Sequence, residues 1–120
     1  MNSVRQKLPQ ATSRCQALKA QHGRVALPES ARASLELLLR IPEIERLILF
    51  GSRAVGDNDD RSDFDVAISA PTLERGALSG IRDMIDQSRT LYHISVSVLE
   101  FMPPALQARV LRQGITLYER

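Results

Sequence analysis

Sixteen residues constrain this chain more than the rest of it. They read Gly51-Ser52-Arg53-Ala54-Val55-Gly56, a polar stretch Asp57 to Arg61, then Ser62-Asp63-Phe64-Asp65-Val66. Leu47-Ile48-Leu49-Phe50 ahead of them is a short apolar run of strand type, and Phe64 to Ser69 alternates as a second strand. The order strand, glycine-bearing turn, polar loop, strand follows. Successive side chains in a strand face opposite ways, so Asp63 and Asp65 share a face, roughly 6.5 to 7 Å apart along the backbone. Two carboxylates so placed can share one hard cation. Mg²⁺ takes oxygen ligands and commonly joins one or two protein carboxylates to substrate phosphates. Gly51 lets the backbone approach a phosphate, while the Ser52 hydroxyl and neighbouring N–H groups can donate to it.

Each of these residues alone is more often structural. Gly-Ser turns are frequent in hairpins, and an aspartate such as Asp63 often just ends a loop. Like charges on one strand face, however, are destabilising unless something cationic lies between them. The Asp57-Asn58-Asp59-Asp60-Arg61 loop lacks the glycine and terminal glutamate of an EF-hand and reads as a surface loop.

Gly51-Ser52-x-Ala54-x-Gly56 followed after five residues by Ser62-Asp63-x-Asp65-Val66 resembles the signature of the minimal nucleotidyltransferases of the DNA polymerase beta superfamily. The resemblance runs from about Pro28 to Tyr118. It implies an α/β (α+β) nucleotidyltransferase fold, a small mixed sheet with helices packed on it. It also implies transfer of a nucleoside monophosphate, AMP foremost, from an NTP to a hydroxyl, with pyrophosphate leaving. Asp63 and Asp65 would hold Mg²⁺, Gly51 and Ser52 would grip the outer phosphates of ATP or another NTP, and Arg53 and Ser62 would complete the nucleotide site. Small members of the family often act as the antitoxin that nucleotidylates a HEPN-domain toxin, so a HEPN partner protein is expected. The chain departs from the family at Ser95, which stands where relatives carry a third catalytic aspartate. Losing an anionic ligand on the nucleophile side should weaken one metal position and spare the other. His93, on the same strand face, is a candidate substitute base because an imidazole suits that role, and Glu100 is another. The alternative function is a non-catalytic NTP-binding or toxin-masking partner.

The remaining sequence is read around that centre. At 120 residues the chain has room for one domain with a modest core. Residues 1–27 are expected to form a basic helical extension and 28–120 the nucleotidyltransferase domain. Met1 to Pro28 carries Arg5, Lys7, Arg14, Lys19 and Arg24 without an acid, a charge of +5, while eleven basic against fourteen acidic residues leave −3 beyond it. Val4, Leu8, Ala11, Cys15 and Leu18 recur at steps of four and three, a helical stripe that Pro9 interrupts. Without interleaved aromatics this segment is a weak nucleic-acid signal, and no nucleic-acid partner is expected. A homo-oligomer stays open. One cysteine and no secretory leader point to the cytoplasm, and no apolar run approaches the ~20 residues of a membrane span.

Three helices are expected in the domain. Pro28-Glu29-Ser30 opens one with Leu35, Leu37, Leu38 and Leu39 on its apolar face and Pro42 at its end. Thr72 reads as the N-cap of a second, with Ala77, Leu78, Ile81, Met84 and Ile85 at helical period. Pro103-Pro104 starts a third, closed by Gly114. Between the last two, Ile94, Val96 and Val98 alternate with His93, Ser95 and Ser97 as a half-buried strand, and Ile115 to Tyr118 forms a last short strand or tail.

Overall fold

The computed structural model describes residues 17–120. A two-residue hairpin, β1 (Gln21–His22) and β2 (Val25–Ala26), leads to helix α1 (Glu29–Leu38) and strand β3 (Arg46–Phe50). The short helix α2 (Ser52–Val55), strand β4 (Phe64–Ser69), helix α3 (Ala77–Asp86) and strand β5 (Ile94–Val98) follow. A 3₁₀ turn at Leu99–Phe101, helix α4 (Pro104–Gln113) and strand β6 (Ile115–Glu119) complete the chain. Four strands form one mixed sheet in the order β5-β4-β3-β6. β3 pairs antiparallel with β4 and β6, and β4 runs parallel to β5. The polypeptide between β4 and β5 contains α3, the crossover that a parallel pair requires.

Alternation within the strands decides which helix covers which face. Leu47 and Leu49 of β3, Phe64, Val66 and Ile68 of β4, and Ile94, Val96 and Val98 of β5 all point into the larger apolar core. Ala31, Leu35 and Leu38 of α1 and Ile81 and Ile85 of α3 close that side, at the spacings that place them on one helical stripe. On the opposite face Ile48 and Ala67 pack with Leu99, Met102 and Val110, a smaller cluster supplied by the 3₁₀ turn and α4. That cover is partial. It leaves the end of the sheet near Phe50 and Asp65 half exposed.

The helix boundaries show local chemistry at work. α4 has proline in its first turn, where the missing N–H costs nothing, and ends at Gly114 with an extended backbone. A Cβ on Gly114 would run into the Val110 carbonyl and Ile48, so glycine is needed there for close packing. α1 stops at Leu38 and unwinds through a turn before Pro42, which disfavours helical backbone in the residue ahead of it. Thr72 does not cap α3. A turn occupies that stretch, and the helix starts after Gly76 with no side-chain cap.

The stripe members Val4, Leu8, Ala11 and Cys15 lie outside the described residues. Leu18, its last member, is buried in the main core with Val25 and Leu27. Its N–H donates to the Glu36 carboxylate on α1 at 2.9 Å, so this part of the 1–27 segment packs into the domain, as a hairpin where a helix is expected.

Candidate active site

β3 delivers the chain to the site and Gly51 turns it. Gly51 has φ 78° and ψ −157°, a conformation that a Cβ penalises. Its bare Cα is also needed for space, because a Cβ there would lie 2.5 Å from Asp65 Oδ2. The turn and the carboxylate are therefore in direct contact. Ser52 opens α2, whose first N–H groups have no partner within the helix, as at any helix start.

Strand register brings the remaining groups to this edge. Asp65 lies opposite Phe50 on one side and beside Ser95 on the other, so the three share a sheet face. Asp63 immediately precedes β4, and its Oδ2 lies 3.3 Å from His93 Nδ1, an ion pair when the imidazole is protonated. His93 is fixed in place by its own carbonyl, which accepts the Phe64 N–H at 2.9 Å. Burial pushes the Asp65 carboxyl above the ordinary carboxylate range, the neighbouring Asp63 charge pushes it further, and His93 pulls it back. Negative charge is in excess here. A hard divalent cation between Asp63 and Asp65 would relieve it, and the donors are the oxygen type that Mg²⁺ prefers, so the residues present fit that metal.

The other expected site residues are placed differently. Ser62 Oγ accepts the Asp59 N–H at 3.0 Å and lies 3.4 Å from Asp59 Oδ1, so it shapes the loop ahead of Asp63. Arg53 turns its guanidinium onto the Phe64 ring, 3.9 Å from the centroid, with Tyr92 at 5.3 Å. It donates to the carbonyls of Ser62 at 2.9 Å and Asp60 at 3.2 Å. Its donors thus hold the loop. Glu100 is remote from the carboxylate pair, because it accepts from Ser69 Oγ at 2.7 Å and the Ala70 N–H at 2.8 Å, at the far end of β4. Four residues of strand put it roughly 13 Å away.

Beyond the Gly51 turn a cavity of about 380 Å³ opens between α2 and α4. Ser52, Val55, Leu106, Arg109 and Gln113 are among the residues that line it. Sequence reading misses Arg109 because it sits on the exposed side of a helix more than fifty residues after Ser52, with no local motif to mark it. Among the described residues no cluster of three or more His, Cys, Asp or Glu side chains forms a metal-ligand set. No helix among them is long and apolar enough to cross a membrane.

A family model described as polymerase beta, nucleotidyltransferase matches residues 35–120, and the chain belongs to that family. A toxin–antitoxin crystal structure determined with AMP-PNP is similar over 73% of this chain and 73% of its own, at 26% identity and a TM-score of 0.57. A second, of a toxin–antitoxin MntA-HpeT mutant, has 23% identity and a TM-score of 0.55, with 73% of this chain and 72% of its own covered, and shares the fold. A search of curated proteins finds no match.

Proposed function

We propose that this protein transfers a nucleoside monophosphate, AMP by preference, from a Mg²⁺-bound NTP to a hydroxyl of a partner protein. In this reading it is the antitoxin of a toxin–antitoxin pair whose toxin has a HEPN domain. The observation that carries the proposal is the seating of the Asp65 carboxylate against Gly51, with Asp63 next to it and the opening turn of α2 directly beyond. A structural neighbour supports the antitoxin and adenine-nucleotide parts of this reading: it is a toxin–antitoxin structure determined with AMP-PNP.

Each residue then has a task. Asp63 and Asp65 would hold Mg²⁺, which when bound neutralises charge on the phosphates undergoing displacement. Ser52 and the free N–H groups after Gly51 receive phosphate oxygens. His93, held beside Asp63, has the chemistry to take the proton of the acceptor hydroxyl. Ser95 adds no charge beside Asp65, so the nucleophile side is weakly supported and transfer is slow.

That same serine favours a second reading, in which the chain binds nucleotide and masks the toxin without modifying it. Calorimetric titration with ATP tests what both share. Mg²⁺-dependent binding is expected in wild type and lost in Asp63→Ala and Asp65→Ala. Equal affinity in all three proteins, with and without Mg²⁺, would exclude a metal-bridged triphosphate site.

A further inference from the structure

Arg24, Arg53, Arg82 and Arg109 lie around the site, and their surroundings differ. Arg53 is committed: ring stacking and two carbonyl bonds use its planar face and its fork. Arg24 donates to the Ala54 carbonyl at 3.4 Å, behind the same short helix. Arg82, on α3, donates to the Val96 carbonyl at 2.9 Å and seals the outer edge of β5. Arg109 alone among these four has no hydrogen bond or ion pair among the described residues, and it lines the cavity that Ser52 opens onto.

We propose that Arg109 is the cation that receives the outer phosphates of the bound nucleotide, while Arg53 serves as a latch that positions the carboxylate loop. The proposal rests on the nucleotide reading above and goes beyond it by dividing the labour between the two arginines. Gly51 joins the two halves of the site: one side of the turn contacts Asp65 and the other lines the Arg109 cavity. A phosphate chain whose inner end lies with the carboxylates and crosses Ser52 has its outer end in that cavity. A guanidinium offers a rigid fork matched to phosphate oxygens. Gln113, one turn further along α4, adds a neutral donor. Asp57 also lines the cavity but forms no ion pair with Arg109, so the guanidinium stays available.

Arg53 acts on the site through the backbone. It ties α2, which follows the phosphate turn, to Asp60 and Ser62, which immediately precede Asp63. Stacking on Phe64 anchors the tie, since Phe64 is fully buried between the two aspartates in sequence. One guanidinium thereby fixes the distance between the phosphate turn and the metal-holding pair.

Calorimetry of the full chain with ATP, ADP and AMP in Mg²⁺ tests this division. Arg109→Ala is expected to weaken ATP binding by about 10- to 100-fold, the loss typical of a charge-assisted hydrogen-bonding group, and to leave AMP binding unchanged. Arg109→Lys should recover part of the loss, and both variants should melt at the wild-type temperature because the side chain is exposed. Arg53→Met should melt lower yet keep the wild-type ratio of ATP to AMP affinity. If Arg109→Ala binds ATP like wild type while Asp65→Ala does not, the Arg109 assignment is overturned and the nucleotide site stands. If Arg53→Met lowers that ratio at unchanged melting temperature, the division of labour is overturned. If wild type itself shows no Mg²⁺-dependent ATP binding, the nucleotide reading fails and the proposal falls with it.

Discussion

The two faces of the sheet use the same strands for opposite purposes. β4 shows this residue by residue: Phe64, Val66 and Ile68 face the large core with no exposed surface, while Asp65, between two of them, stands half exposed against Gly51. The first face is closed by α1 and α3 and stabilises the fold by excluding water. The second is closed only where the 3₁₀ turn and α4 cover Ile48 and Ala67, and beyond them it leaves two carboxylates, Asp63 and Asp65, beside His93. Rigidity on one face is what allows charge to be held on the other. A carboxylate pair on a loose strand would simply move apart.

The largest effect should come from breaking the closed face. Phe64→Ala removes a fully buried ring that also carries Arg53 and packs edge-on against Tyr92, 5.3 Å away at 89°. Urea denaturation should show a loss of about 3–5 kcal/mol. A loss below about 1 kcal/mol would mean that the ring is not a keystone of this core.

On the open face, Ser95→Asp supplies the missing charge beside Asp65. Nucleotidyl transfer should rise on the order of 10²-fold, with much less change in ATP affinity. If wild type is already fast and Ser95→Asp is neutral or harmful, another group fills the role, with His93 the first suspect because it already contacts Asp63.

Gly51→Ala strikes the contact between the faces' shared strand ends. The left-handed backbone at φ 78° should cost about 1–3 kcal/mol in chemical denaturation. Because the new Cβ would collide with Asp65 Oδ2, ATP binding should fall as well. Stability loss with intact ATP binding would show that Asp65 can move aside without consequence.

The smallest effect runs the other way. The folded state raises the Asp65 pKa above 3.8, so it holds that proton more tightly than the unfolded chain does. Stability from this group is therefore present below 3.8 and lost as pH rises through the folded pKa. Asp65→Asn should accordingly melt slightly higher than wild type at pH 7 without divalent cations, and the gain should fade as the pH falls toward 3.8. A lower melting temperature at pH 7 would mean that the charge is stabilised in place.

Legibility in the sequence follows the same divide. β3 announces itself as a short apolar run, β4 and β5 by period-2 alternation, and α4 by its prolines, because those signals are local. The mixed sheet and the Asp65–Ser95 proximity also agree with the sequence reading, since strand register fixes them once the strands pair. What was hidden depends on groups far apart in the chain. Arg53 looks like a phosphate ligand next to Ser52, yet Phe64 and two loop carbonyls claim it. Glu100 looks free until Ser69 and Ala70 are placed beside it. Arg109 acquires meaning only when α4 folds back over β3. The hairpin at 21–26 is too short to alternate, and its signal is a single glycine, Gly23, at φ 59°.

The open edge around Gly51, Asp63 and Asp65 is proposed to transfer nucleotide. Its most direct test is to incubate the chain with its co-purified partner and ATP labelled at the α-phosphate. Slow, Mg²⁺-dependent labelling of the partner by wild type is expected, and none by Asp63→Ala or Asp65→Ala. An intact complex in which neither wild type nor Ser95→Asp ever labels the partner would contradict it, and would leave masking as the function.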